Sequence, residues 1–345
     1  MLPPMILLIR DIYYSILTVL GAPANLLTIV ILSGGNCGLS KCISLYMVAT
    51  ATADLMVMIF NVIVYHIFTY HFPHSFLSYT GVCKFILYMN TVTLHISVWF
   101  TVSFTFDRFV AICCEKFKTK YCTVRTATTV VTMVSALLCL QTLPFFFAYK
   151  PEQIINNIRW GCHPRMDFFS SPAGVAYSWL QTVLIPWLPF VLILLFNCLT
   201  VKCILVASRV RRGFQTHIDD NQSDPEMENR RKSIILLFTV SGSFILLWLT
   251  SAVSFIATGL VNTVHYRGDY AAPEYIATET GYMLMNMSSC TNTCIYAATQ
   301  TKFREKLKKL LTAPWAFILK WILKMKTETK AFCFSSHSIA VCVPF

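Results

Sequence analysis

Seven apolar blocks, separated by short polar segments, constrain this chain more than any other feature of its sequence. Each block is long enough to cross a hydrocarbon core of about 30 Å as an α-helix. Water is absent from that core, so a spanning backbone must satisfy its own hydrogen bonds, as a helix does. Only 13% of the 345 residues are charged, about half the share in a soluble domain. The sequence therefore predicts an all-α membrane protein, a seven-helix bundle over roughly residues 11–33, 43–70, 81–113, 126–149, 174–208, 232–261 and 272–299.

The positions of the basic residues predict the orientation. Lysine and arginine concentrate on the cytoplasmic side of membrane proteins, and an extracellular N-terminus would place most of them there. The predicted parts are an extracellular N-terminus (1–10), a transmembrane domain (11–299) and a cytoplasmic helix and tail (300–345). Attraction to anionic inner-leaflet lipid accounts for the net charge of +12 without a nucleic acid partner. The inner basic residues would be Lys41, Lys116, Lys118, Lys120, Arg125, Arg209, Arg211, Arg212, Arg230, Arg231 and Lys232.

Most of the fourteen cysteines lie inside apolar blocks, where a cysteine usually behaves as a small buried hydrophobic residue. Cys83 and Cys162 differ, because both fall on the predicted outer side, which is oxidising. We expect a disulfide between them. Cys333 and Cys342 lie in the predicted inner tail, where palmitoylation and a free thiol are the two interpretations.

The polar content of the blocks argues against two classes of function. A transporter or channel needs several ionisable groups along a path, and the blocks offer almost none besides Asp54. An intramembrane enzyme needs a paired set of His, Asp or Cys side chains at membrane depth, and the sequence provides no such set. No CxxC pair with metal-binding spacing occurs either. We therefore expect no enzymatic activity, and a transporter is the less favoured alternative.

Short motifs occur in a fixed order along the blocks. The first contains GAPAN, the second LYMVATATADLM, and the third ends in Asp107-Arg108-Phe109. The fifth contains Pro189, the sixth Phe244 and Trp248, and the seventh NTCIY; the cationic segment TKFREKLKKLL follows. In this order they resemble the rhodopsin-like (class A) G-protein-coupled receptors over about residues 15–310. GAPAN, His95, Trp99 and Asn197 are most similar to a small orphan subgroup thought to sense aromatic amino acids or short peptides.

This resemblance implies a plasma-membrane receptor that converts the binding of an extracellular small molecule or peptide into activation of a heterotrimeric G protein, with arrestin as a further partner. Its switch would consist of Asp107, Arg108, Asn292 and Tyr296. Asp107 would hold Arg108 while the bundle is closed, and opening would free Arg108 for the tail helix of the G protein. The alternative is an arginine that only extends to the interface beside an incidental acid.

Asp54 lies in the middle of its block, where a carboxylate needs partners or a cation. The resemblance implies a sodium site that contains Asp54, Ser97, Ser288 and Asn292, with Ser289 nearby, and no other cofactor. Oxygen ligands of this kind suit a hard cation. The alternative is a protonated Asp54 that is hydrogen-bonded to Asn25 and Asn292.

The resemblance also places a ligand pocket toward the extracellular side, between the third, fifth, sixth and seventh blocks. The side chains implied there are aromatic, amide, hydroxyl or aliphatic, with no Asp or Glu among them. A cationic amine would find no counter-ion, so this set favours a neutral or zwitterionic ligand with an apolar ring. The pocket residues are Asn90, Thr91, Leu94, Gln181, Trp248, Ser251, Phe255, Tyr282 and Asn286, with Trp160 in the loop above them.

Several positions depart from the family pattern. Thr250 and Thr293 stand where prolines are usual, Asn197 replaces a tyrosine, and Glu115 begins the pair that replaces Pro-Leu. These departures support the alternative of a divergent seven-helix protein with weak or no G-protein signalling, acting as a scaffold or binding protein. The tail segment APWAFILKWILKMK alternates apolar and basic residues and is predicted to lie along the inner membrane surface, the alternative being a disordered tail.

Overall fold

The computed structural model describes residues 5–35, 37–214, 225–261 and 270–312, and within these ranges the chain forms a bundle of seven helical spans. Two π-helical segments, π1 (Met58–Phe68) and π2 (Val183–Trp187), interrupt the second and fifth spans. The α-helices in chain order are α1 (Met5–Ser33), α2 (Lys41–Val57), α3 (Thr69–His71), α4 (Thr80–Cys113), α5 (Glu115–Tyr121), α6 (Val124–Thr142), α7 (Pro144–Phe147), α8 (Met166–Ser170), α9 (Pro172–Thr182), α10 (Leu188–Phe214), α11 (Pro225–Val261), α12 (Pro273–Thr299) and α13 (301–312).

The seven predicted blocks correspond to these spans, with differences at their ends. The first helix begins earlier than predicted, at Met5, and the sixth begins at Pro225. Six of the described helical spans have the length and hydropathy of a membrane span. The seventh, α12, is more polar because it carries Glu274, Glu279 and Asn286, but it packs along α11 and α1 and completes the bundle. The predicted surface helix and cysteines of the tail lie outside the described residues.

Hydroxyl side chains define where three of the spans begin. Ser40 accepts a hydrogen bond from the backbone N–H of Ile43 at the start of α2. Thr123 does the same for Thr126 at the start of α6, and Ser171 for Gly174 at the start of α9. Each cap satisfies one backbone donor that would otherwise lack a partner in the first helical turn.

The π2 segment has a local explanation in the positions of its prolines. The N–H of Leu188 donates to Val183 O, five residues back, instead of to Leu184 O. The next residue, Pro189, has no N–H to offer to Leu184 O. That carbonyl accepts a hydrogen bond from Trp99 Nε1 at 3.1 Å instead, which joins α4 to the fifth span.

A small β structure covers one end of α4. Strands β1 (Tyr149–Lys150) and β4 (His163–Pro164) pair with each other, as do β2 (Gln153–Ile155) and β3 (Ile158–Trp160). Asn156 and Asn157 form the tip between β2 and β3 with φ of 50° and 62°, the conformation of a tight two-residue hairpin turn. The disulfide Cys83–Cys162, with Cα atoms 6.1 Å apart, ties this loop to α4. We call this the disulfide end of the bundle and the opposite end the Arg108 end.

Candidate functional site

At the Arg108 end, the side chains of Asp107 and Arg108 form a buried ion pair. Arg108 donates to Asp107 Oδ2 through Nε at 3.1 Å and also through Nη2. The other carboxylate oxygen, Oδ1, accepts from the Cys42 thiol of α2 at 3.2 Å. Both oxygens of Asp107 are therefore occupied, and Asp107 is 0% exposed. The pair is a closed unit that also links α4 to α2.

Two further contacts surround this pair. Arg108 Nη1 lies 3.5 Å from Ser233 Oγ on α11, a long contact that the sequence did not predict. The Cys122 thiol lies 3.8 Å from Asp107 O. Burial, followed by the nearby Asp107 carboxylate, raises the pKa of Cys122 to about 11, so this thiol is protonated and unreactive at neutral pH. The side chain of Arg230 lies outside the described side chains.

The four predicted switch residues do not meet in one place. Asn292 bonds to Asp54 in the middle of the bundle, away from Arg108. Tyr296 is buried in an apolar cluster with Phe104 and Val240, and its ring packs edge-on against Phe303 of α13 at 6.0 Å. The structure thus joins Asp107 to Arg108 and gives Asn292 and Tyr296 partners elsewhere.

The buried Asp54 carboxylate forms a second polar centre. Its Oδ1 accepts from Ser97 Oγ at 2.5 Å, and its Oδ2 accepts from Asn292 Nδ2 at 2.8 Å. Among the described residues, Ser288 is not hydrogen-bonded to Asp54. It donates to Met285 O at 2.7 Å and accepts from Trp248 Nε1 at 2.9 Å. Ser97 and Asn292 therefore hold Asp54 directly, and Ser288 connects to Trp248.

A small cavity of about 10 Å³ lies beside this centre, enough for about one water-sized sphere. Its polar lining includes Ser97, Ser288 and Asn292. Hydroxyl oxygens beside a carboxylate suit a sodium ion chemically, but Asn292 offers its amide N–H, not its oxygen, to Asp54. The hydroxyl groups of Ser97 and Ser288 match a sodium ion in ligand type, but the cavity is too small for a cation together with its water shell, and Asp54 is not among its lining residues.

The main cavity, about 370 Å³, lies between α4, the fifth span, α11, α12 and π1. It lies toward the disulfide end, since its α4 residues, from Leu87 to His95, are nearer in sequence to Cys83 than to Arg108. Its volume is within the range of small-molecule sites. Seven of the nine residues predicted for the pocket line it: Asn90, Thr91, Leu94, Gln181, Trp248, Tyr282 and Asn286.

The other predicted pocket residues are placed differently. Ser251 is 2% exposed and does not line the main cavity. The reason is Gly281, which has no side chain and lets α12 approach so closely that a Cβ there would lie 3.0 Å from the Ser251 backbone. Trp160 packs edge-on against Tyr79 at 4.7 Å and is likewise not among the lining residues. The side chain of Phe255 lies outside the described side chains.

Sequence reasoning missed one charged residue of the cavity. Glu279 of α12 lines it, so the expectation of a lining without Asp or Glu is wrong. Glu279, Tyr282 and Asn286 are spaced i, i+3, i+7, which places them on one helix face and was a readable signal. The argument against amine ligands depended on the absence of a counter-ion, so it no longer holds. The second span also contributes Asn61, Tyr65 and His66, none of which was predicted.

The chain is similar to a known protein family and to a known receptor. A model of the 7 transmembrane receptor (rhodopsin family) matches residues 24–296. The chain is 22% identical over 314 residues to the C-C chemokine receptor type 1 of Macaca fascicularis, an alignment that covers 90% of this chain and 81% of that protein.

Proposed function

The chain belongs to the rhodopsin family of seven-transmembrane receptors, and from this premise we propose that it converts the binding of an extracellular small molecule or peptide into activation of a heterotrimeric G protein. The protein is a non-enzymatic receptor that crosses the membrane several times. In the proposed orientation the disulfide end is extracellular and the Arg108 end cytoplasmic, which places most basic residues beside the anionic leaflet. Arrestin and anionic lipid are further proposed partners at that end.

The observation that carries this proposal is a chain of contacts from the main cavity to the Arg108 end. Trp248 lines the main cavity and donates to Ser288 at 2.9 Å. One helical turn further along α12, Asn292 donates to Asp54, which also accepts from Ser97 of α4. The same helix α4 ends at Asp107 and Arg108. A ligand that displaces Trp248 would act on both helices that hold Asp54.

The proposed output step is the release of Arg108. A buried ion pair is stable only while its geometry is kept, because desolvation opposes it. Movement of α11, which holds Ser233 against Arg108, would open a cavity at this end. Arg108 could then exchange Asp107 for the tail helix of a G protein. A sodium ion beside Asp54, held by Ser97 and Ser288, would stabilise the closed arrangement and oppose this step.

The test is nucleotide exchange on heterotrimeric G proteins in cell membranes. We expect membranes with the wild-type chain to exceed the background of untransfected membranes, and Arg108→Ala to return exchange to that background. Glu305→Gln removes an exposed charge of α13 near the same end and is the matched control. Exchange that is unchanged by Arg108→Ala, at equal surface expression, would reject the proposed output.

One observation favours the second candidate, a receptor-like protein that binds a ligand but signals weakly. Thr293, where the family has proline, forms a 2.8 Å hydrogen bond with Thr28 of α1. Both α11 and α12 run as continuous helices through Thr250 and Thr293. An α12 that is straight and hydrogen-bonded to α1 resists the helix movement that the output step requires. Wild-type exchange at background level under every ligand tested would favour this candidate.

A further inference from the structure

Glu279 is a half-buried acid whose hydrogen bonding is incomplete. It is the one acidic side chain among the described residues that line the main cavity. Its carboxylate accepts a hydrogen bond from Tyr275, one turn earlier on α12. Its Oε2 is buried and has no hydrogen-bond partner in the described part of the chain. Such an oxygen loses its hydration without replacement, so it favours any cation or donor that enters the cavity.

Two neighbouring amide oxygens also lack a hydrogen-bond donor. Asn286 Oδ1 and Asn61 Oδ1, both in the cavity lining, are also buried without a partner among the described residues. The orientation of the Asn286 amide is fixed, since its Nδ2 donates to Tyr282 O at 3.0 Å and to Tyr14 Oη at 3.4 Å. This wall therefore offers acceptors. An ammonium group has three donors and no acceptor, and it matches this wall.

Tyrosine side chains lie near this carboxylate, and two of them, Tyr65 and Tyr282, line the cavity. Tyr14, Tyr65 and Tyr282 all lie within electrostatic reach of Glu279. Tyrosine rings attract a cation through their electron-rich faces. The remaining wall is apolar, with Leu94 and Ile185 among its residues. The cavity thus combines a charged corner with a surface for a hydrocarbon ring.

Arg10 of α1 provides a competing explanation, because it also lies within electrostatic reach of Glu279. Arg10 is outside the cavity lining, and its Nη2 contacts Asp11 at 3.5 Å. If Arg10 were the full counter-charge, Glu279 would serve only to join α1 to α12. The two explanations differ in what removal of Arg10 does to a cationic ligand. Loss of a competing cation would tighten the binding of an amine.

We propose that the main cavity takes a small ligand with a protonated amine beside an apolar ring, and that Glu279 is its counter-ion. This inference rests on the proposed function only in taking the main cavity as the ligand site. It assigns a chemical class to the ligand and a specificity role to one residue, and it does not depend on G-protein coupling.

The experiment measures binding to the purified full chain in lipid nanodiscs by titration calorimetry at neutral pH. Three probes share an indole ring and differ in charge: tryptamine is a cation, tryptophol is neutral and indole-3-propionate is an anion. We expect the Kd of tryptamine to be lower than that of the other two by about tenfold or more. Equal binding of tryptamine and tryptophol, or no saturable tryptamine binding up to about 10 mM, overturns the proposal.

Three variants assign the effect to its residue. Glu279→Gln keeps the shape of the side chain, and we expect it to weaken tryptamine about tenfold and to leave tryptophol unchanged. Glu274→Gln removes an exposed charge from the same helix and should change neither Kd. Arg10→Gln should leave tryptamine binding equal or tighter. A tryptamine Kd that Glu279→Gln does not raise, or that Arg10→Gln raises as much as Glu279→Gln does, overturns the assignment.

A second measurement separates this proposal from the proposed function. Tryptamine binding is measured without a G protein, whereas nucleotide exchange is measured with one. Charge-selective binding without any nucleotide exchange would reject the signalling proposal and retain this one. Exchange that responds to neutral indoles as well as to tryptamine would retain signalling and reject this one.

Discussion

The buried polar groups at the two ends of the bundle differ in whether they have hydrogen-bond partners. At the Arg108 end, both oxygens of Asp107 are occupied, one by Arg108 and the other by the Cys42 thiol. In the main cavity, Glu279 Oε2 and both polar atoms of the Gln181 amide are buried without partners among the described residues. A set that satisfies itself contributes to the closed structure. A set that lacks partners is suited to a molecule that arrives from outside. Removing a polar group should therefore lower the stability of the protein at the Arg108 end and leave it equal or raise it in the main cavity.

The largest effect is expected for Asp107→Asn. Removing one partner of a buried ion pair leaves an uncompensated charge and costs about 3 kcal/mol or more. We expect a lower unfolding temperature in nanodiscs and a raised basal nucleotide exchange, because Arg108 is no longer held. Glu305→Gln, which also removes one negative charge near this end, is the control. Equal unfolding temperatures for the two variants would contradict the comparison.

The second largest effect is expected for Ser97→Ala, which removes the donor to Asp54 Oδ1. A buried acceptor left without its donor costs about 1–3 kcal/mol. The control is Ser103→Ala on the same helix, whose hydroxyl bonds only to Trp99 O one turn earlier. Thermal unfolding of both variants gives the difference. If Ser97→Ala is no less stable than Ser103→Ala, then Asp54 does not depend on this bond.

A smaller loss is expected for Thr293→Val, about 1 kcal/mol, because the side-chain bond between Thr28 and Thr293 is a single neutral hydrogen bond. Thr299→Val is the matched control, since Thr299 bonds within its own helix to Ile295 O. If this bond restrains α12, nucleotide exchange should rise in Thr293→Val and remain at the wild-type level in Thr299→Val. A lower exchange in Thr293→Val would show that the bond supports activity.

The smallest effect, with the opposite sign, is expected for Gln181→Leu in the main cavity. Replacing an unpartnered buried amide with an apolar side chain of similar size removes a desolvation cost, so stability should stay equal or rise by about 1 kcal/mol. Thermal unfolding without ligand checks this expectation. A clear loss of stability would mean that Gln181 has a structural role. It would contradict the statement that unpartnered polar groups in the main cavity do not stabilise the protein.

The sequence predicted the parts of this molecule that depend on local composition. Apolar blocks located the spans, and the positions of Cys83 and Cys162 predicted the disulfide that joins the loop to α4. The closed pair of Asp107 and Arg108 follows from adjacency in the sequence. The bond between Cys42 and Asp107 does not, because it joins residues far apart in the chain.

The remaining differences arise from how the helices pack, which composition alone does not determine. Ser251 was predicted for the pocket. Because Gly281 has no side chain, α12 packs closely against Ser251 and keeps it out of the cavity lining. Glu279 was overlooked because the family pattern, and not the helix face it shares with Tyr282, guided the choice of residues. The β2–β3 hairpin was missed because its strands have three residues each, too short to show an alternating pattern.

The π2 segment has a consequence for the whole of α10. A π turn contains one residue more than an α turn, so it rotates the helix that follows by about 100° relative to an uninterrupted α-helix. In the observed register Phe190 and Ile193 face the interior and Val191 and Leu194 face outward, with exposures of 6%, 0%, 58% and 50%. Pro189 and the indole of Trp99 maintain that offset. The fifth span therefore consists of two helical parts. The one extra residue in π2 determines which side chains of α10, the part that leads to the Arg108 end, face the interior.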